Sequence, residues 1–202
     1  MKGWHFGDWH FAWRGWLLGA LLATVAWARW NSAAPLHPGW LVLVVVGSAW
    51  RWQAGRYIQS HSNALAFAGP VLAAHGPYRL GRHPLYLSNL AVIAGLVLFA
   101  HCLPHWAEAV CLLAAAAHHA LLARSEEAYL ASLGGEAYRR YMEATPRWIG
   151  RPRSLLNTTD AIDATGATGA AGAAAAWRRQ GANITKACAC VALLWLLAAF
   201  PR

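Results

Sequence analysis

Between Gly76 and Tyr86 the chain reads Gly-Pro-Tyr-Arg-Leu-Gly-Arg-His-Pro-Leu-Tyr, and further on it carries the pair Glu126-Glu127. Side chains of these types can hold a flat, charged ligand. Tyr78, Tyr86 and His83 can stack on a ring and hydrogen-bond to it. Glu126 or Glu127 can meet a positive charge, and Arg124 can hold an anionic reaction partner. Glu127, Glu126 or His83 can also take a proton from an amine. Each has a plainer reading as well. Arg79 and Arg82 can anchor an interface, the two glutamates can be a solvated helix turn, and Tyr138 and Tyr141 can pack a short helix. On one helix Glu127 points about 100° away from Glu126, so one of the two is expected to face a site.

The segments that must position these residues are built for lipid. The chain is 58% hydrophobic and 12% charged, against about 25% charged in soluble domains. Its 13 tryptophans suit aromatic belts at membrane interfaces. The fold class expected is an all-α integral membrane protein with four core transmembrane helices, a helical hairpin among them, and a possible fifth C-terminal span. A net charge of +9 would suggest nucleic acid in a soluble protein, but the basic residues lie in loops between apolar runs. Topology and anionic lipid headgroups explain them better, and no nucleic-acid partner is expected.

Five apolar runs cover roughly Ala12 to Ala28, Pro38 to Trp50, Leu85 to Leu103, Trp106 to Ala123 and Ala182 to Phe200. Spanning takes about 20 residues, which the third and fourth runs meet best. Pro104 leaves them almost no loop, so they are predicted to form a tight hairpin with both polar segments at one end. With a cytoplasmic N-terminus, all of the 17 basic residues except Arg29 and Arg202 fall on the inside, the orientation that the positive-inside rule favours. The expected location is a bacterial inner membrane, with the site facing the cytoplasm.

After the fourth run, Gly134-Gly135 predicts a break before a short amphipathic helix, and Pro146 ends it. The first 16 residues read as an interfacial lead-in. Domain organisation is read as a membrane core over 1–153, an Ala/Gly-rich linker over 154–181 and a C-terminal apolar helix over 182–202. Cys102, Cys111, Cys188 and Cys190 read as small apolar fillers. Metal binding by the adjacent His118 and His119 is disfavoured because neighbours on a helix diverge, and no metal site is assigned. His101 and His105 bracket the outer turn, away from this chemistry. The chain has no G-x-G-x-x-G after a strand, and hence no Rossmann domain is expected.

Two blocks resemble the isoprenylcysteine carboxyl methyltransferase family and its relatives among phospholipid N-methyltransferases. The first is Leu72-Ala73-Ala74-His75-Gly76-Pro77-Tyr78 with Arg82-His83-Pro84-Leu85-Tyr86. The second is Glu126-Glu127, then Gly135-Glu136-Ala137-Tyr138 and Tyr141, then Pro146-Arg147. Spacing within Gly76–Tyr86 and Glu126–Gly135 matches the family without a gap, and the resemblance covers roughly Arg56 to Arg151.

This resemblance implies a transferase that moves a methyl group from S-adenosylmethionine (SAM) within a membrane domain, releasing S-adenosylhomocysteine. It implies cofactor contacts at Leu72, Ala73, Tyr78, Arg82, His83, Pro84, Leu85, Tyr86 and Glu126. It implies catalytic positions at Arg124 and Glu127. The acceptor would be a lipid or a small lipophilic molecule entering from the bilayer. In the family an arginine often stands four residues before the glutamate pair, where this chain has Leu122; Arg124 fits a second basic position. A phospholipid amine N-methyltransferase is the alternative within enzymes. A non-catalytic scaffold or metal-handling protein is the alternative of another class. Oligomeric state is left open.

Overall fold

The computed structural model describes residues 19–55, 76–150 and 170–199. The chain is all-helical there, with no strand among the described residues. In order come α1 (residues 19–30), a 3-10 turn at Pro38–Trp40, α2 (Leu41–Gly55), a 3-10 turn at Gly76–Arg79, α3 (Pro84–Ala100), α4 (His105–Ala144) and α5 (Ala170–Ala199).

The expected hairpin is α3 followed by α4. Pro84 opens α3 at its first position, where the missing N–H costs nothing and the fixed φ suits a helix. At the other end His101 adopts a left-handed conformation, with φ 39°, and its N–H donates to the Val97 carbonyl at 3.2 Å. That residue stops α3 at Ala100, short of the Leu103 read from hydropathy. Pro104 then caps α4, its carbonyl accepting from the N–H groups of Ala107 and Glu108 at 2.8 and 3.0 Å. Only Cys102 and Leu103 separate the two caps, so the helices must run antiparallel.

α3 is the centre of the molecule. Its Ile93, Leu96, Val97, Phe99 and Ala100 are buried with Val25 of α1, Val44 of α2, Ala115 of α4, and Ala187 and Leu194 of α5. α2 and α3 approach closely through small residues. A Cβ on Gly95 would meet Val44, and one on Gly47 would meet the Ser88 carbonyl and the side chains of Ala91 and Val92. Arg29 is deeply buried in this core, 1% exposed. Its guanidinium donates to the carbonyls of Ala34 and Ala100 at 2.6 and 3.2 Å, and to that of Ser32. It thereby satisfies the end of α3, where helix carbonyls lack intrahelical donors.

α4 is interrupted at Gly135, whose φ of 52° and ψ of −134° are non-helical. The glycine break predicted there is present, and the short helix beyond it ends at Ala144, before Pro146. One stretch among the described residues, His105–Ser132 of α4, is long and apolar enough to cross a membrane, while Pro84–Ala100 and Thr185–Ala199 are shorter apolar helices. Large apolar side chains face outward at helical spacing on α4 (Trp106, Val110, Leu113), and others do so on α2 (Val42, Val45, Val46) and α5 (Leu193, Trp195, Leu196).

Two boundaries differ from the sequence reading. α2 continues past Trp50 to Gly55. α5 begins at Ala170, inside the tract read as linker, because a run of alanines has the highest helix propensity of any sequence. The start of the first apolar run and residues 154–169 of the linker lie outside the described residues.

Candidate functional site

The two polar blocks meet at the open end of the hairpin. His83, the residue just before α3, is 5% exposed. Its Nε2 stands 3.0 Å from Oε1 of Glu127, and its Nδ1 stands 3.5 Å from Oε2 of Glu126. The expectation that one glutamate would face the site is therefore corrected. The imidazole is wedged between both carboxylates, one at each nitrogen, and so bridges the angle between neighbouring helix positions.

Glu127 is the more heavily engaged carboxylate. Arg147 donates to it from Nη2 at 2.7 Å and from Nε at 3.1 Å, a bidentate grip, and Nη2 of Arg82 lies 3.4 Å away. Charge-assisted bonds in this fork geometry are stronger than neutral ones. Glu127 thus serves to hold Arg82, His83 and Arg147 together. Glu126 makes the looser contact, and its side chain is 26% exposed; it is the carboxylate with capacity for a further cation.

Burial alone would push the His83 ring down. The hydrogen bonds and negative charges of Glu126 and Glu127 outweigh it, so the net shift is upward and the imidazolium form is favoured. The Tyr78 hydroxyl is pushed well above its ordinary value, first by burial and then by the charge of Glu126. It stays a neutral donor, and it has no hydrogen-bond partner among the described residues. The same holds for Nε of Arg82. Two buried donors with nothing to bond are costly, about 1–3 kcal/mol each, and point to a ligand that accepts from them.

Aromatic rings surround the imidazole. Tyr86 stacks on His83, with ring centroids 5.4 Å apart and planes 16° apart, and Trp148 lies 6.1 Å from it. Tyr86 also meets His119 of α4 edge-on at 5.7 Å. From His119 a polar track leads away between the helices, to Asn89 at 3.5 Å and on to Arg51.

The segment after α4 closes the cluster. The N–H of Arg82 donates to the Pro146 carbonyl and that of Gly150 to the Leu80 carbonyl, both at 3.0 Å. Gly81 lies against this crossing, where a Cβ would fall on the Trp148 carbonyl, so only glycine permits the approach. Tyr141 donates from its hydroxyl to the Tyr78 carbonyl at 3.0 Å, tying the short helix beyond Gly135 to the 3-10 turn. Tyr138 and Tyr141, part of the second block and with packing of the short helix as their plainer reading, are both buried.

Of the residues picked from sequence, Tyr78, Arg82, His83, Pro84, Leu85, Tyr86, Glu126 and Glu127 lie in this cluster or in the first turn of α3 that carries it. Arg124 is exposed on α4 and takes no part in the ion pairs around Glu127 among the described residues. Leu72 and Ala73 lie outside the described residues. The sequence reading missed Arg147, Trp148 and Gly81 as site residues. The signal available was the Pro146-Arg147 pair, already part of the second block. Compared with known proteins, the chain matches no family model, no curated protein and no solved structure.

Proposed function

We propose that the chain is a SAM-dependent methyltransferase of the membrane that acts on a lipophilic acceptor. The observation that carries this reading is the His83 imidazole held between Glu126 and Glu127. Through it, the two blocks that resemble the isoprenylcysteine carboxyl methyltransferase family join in one cluster beside Tyr78 and Tyr86.

The residues fit the cofactor. SAM presents an ammonium and a sulfonium, a carboxylate and a flat adenine. Glu126 offers an open carboxylate for the positive groups. The unpartnered donors of Tyr78 and Arg82 suit the carboxylate. Tyr86 and Trp148 supply aromatic walls. When bound, SAM supplies a methyl carbon on a positively charged sulfur, so that an acceptor's lone pair displaces a neutral thioether. The chain's task is positioning. His83 holds Glu126 toward the ligand, and Glu127 with Arg147 fixes His83 and Arg82.

The proposed setting is a bundle that crosses the membrane with this cluster on the cytoplasmic side. Arg51, Arg79, Arg82, Arg124, Arg139, Arg140 and Arg147 lie toward this end of the helices, and Arg29 lies at the other, the asymmetry of a positive-inside protein. The outward apolar residues of α2, α4 and α5 suit contact with acyl chains.

One observation favours an amine over a carboxylate acceptor. Arg124 stands apart from the cluster, whereas the Glu126 carboxylate, paired with His83, can accept a proton from an amine. The test is transfer of a radiolabelled methyl group from SAM into the lipid extract of membranes containing the protein. Label in lipid that is lost in Glu126→Gln supports the reading, and equal label with wild type and Glu126→Gln rejects it.

A further inference from the structure

We propose that His101, His105 and Glu108, at the closed end of the hairpin, bind a divalent transition-metal ion, with zinc the best match. This end lies about 25 Å from His83 along α3, at 1.5 Å per residue, so the proposal is independent of the methyltransferase reading.

The backbone builds the site. His101 is fixed in its left-handed conformation at the end of α3, and the Cys102–Pro104 turn returns the chain directly into α4. His105 and Glu108 then share a face of the first turn of α4, being three residues apart. Nδ1 of His101 is 3.1 Å from Oε1 of Glu108, and Nδ1 of His105 is 3.5 Å from Oε2. One ligand atom from each of the three lies within 4.8 Å of the others. Donors bound at about 2.0–2.1 Å around a tetrahedral zinc stand about 3.3 Å apart, so these side chains need little movement to close on an ion.

Glu108 supplies the second argument. Its side chain is 6% exposed, and a buried carboxylate must be paired or coordinate a metal. Among the described residues its ion-pair partners are two imidazoles and no arginine or lysine. Arg29, the basic residue at this end, is committed to the carbonyls of Ser32, Ala34 and Ala100. The His37 ring packs edge-on against His101 with centroids 4.3 Å apart, and the backbone N–H of His37 donates to the Phe99 carbonyl at 3.0 Å. Two imidazoles with one carboxylate suit zinc and not the all-oxygen preference of calcium or magnesium. His105, 86% exposed, leaves an entry path.

The test uses full-length protein in detergent, carrying no histidine tag and stripped with EDTA. Zinc chloride is titrated against a chromophoric chelator, and bound metal is counted by mass spectrometry. The expected result is one zinc per chain at micromolar affinity or tighter, weakened at least ~tenfold in each of His101→Ala, His105→Ala and Glu108→Gln. His105→Ala is decisive because its exposed ring can be removed without disturbing the core. Zinc should also raise the melting temperature of wild type and leave that of His105→Ala unchanged. No zinc bound by wild type overturns the proposal. So does zinc bound equally by all three variants, which would place it elsewhere.

Discussion

At one end of the α3–α4 hairpin His83 stands between two carboxylates, one of which is also gripped by Arg82 and Arg147. At the other end His101 and His105 face the buried carboxylate of Glu108, with no arginine in the cluster among the described residues. The side-chain types are alike and the chemistry differs. Where two carboxylates flank the ring, histidine carries a proton and orients its neighbours, arginines share one of the acids, and aromatic rings close over it. Where the acid has imidazoles as its partners, one ligand atom from each of the three side chains lies within 4.8 Å of the others, the convergence that a metal ion needs.

The sharpest way to break this contrast is to remove the acid at each end. Glu127→Ala leaves Arg82 and Arg147 facing each other without their carboxylate. Arg147 is 39% exposed, so the cost should fall below that of a fully buried pair, at about 2–3 kcal/mol, read as a large drop in melting temperature. Glu108→Gln in metal-free protein should cost no more than about 1 kcal/mol, since the amide keeps a hydrogen bond to one imidazole. Equal losses at both ends would mean that the arginines do not distinguish them.

Gly81→Ala attacks the loop crossing that has no counterpart at the other end. The added Cβ must displace the Trp148 carbonyl, which should cost about 1–3 kcal/mol and open the contact between Trp148 and His83. Unchanged stability and unchanged tryptophan emission would show that the crossing is not needed.

The His83 end should also respond to pH. The folded-state value of His83 is raised. Its stabilisation is fully present below the unfolded value of about 6.5 and is lost as pH rises through the raised folded value. The melting temperature of wild type relative to His83→Gln should therefore be highest at mildly acid pH and decline on the alkaline side. A difference that grows with pH would contradict the paired imidazolium.

Arg124→Ala should have the smallest effect, within about 0.5 kcal/mol on stability, because the side chain is exposed. Its value is as a probe of the acceptor. Methylation of an amine should survive it, and methylation of a carboxylate should not.

Much of this contrast was legible in the sequence at the His83 end. Residue types that are expensive near lipid stand there in tight spacing, and Pro104 forces their two segments to one side. The proline before the helix, the glycine break at Gly135 and the paired glutamates are all local signals. What was not legible arises from contacts between distant segments. Nothing near Arg147 or Trp148 says that this stretch crosses Gly81, and nothing in Glu126-Glu127 says that one ring fits between them. The other end was passed over for a similar reason. His105 and Glu108 are at helical spacing, but only the left-handed turn at His101 adds the third ligand. The alanine tract that opens α5 misled in the opposite direction, since low complexity and helix propensity share one composition here.

The central claim is that the His83 cluster binds SAM. Calorimetric titration of the purified protein with S-adenosylhomocysteine, set beside His83→Ala, tests it most directly. The account predicts micromolar binding by wild type and at least a ~tenfold loss in the variant, about 1.4 kcal/mol. No heat of binding with well-folded wild type, or equal affinity in His83→Ala, would contradict it.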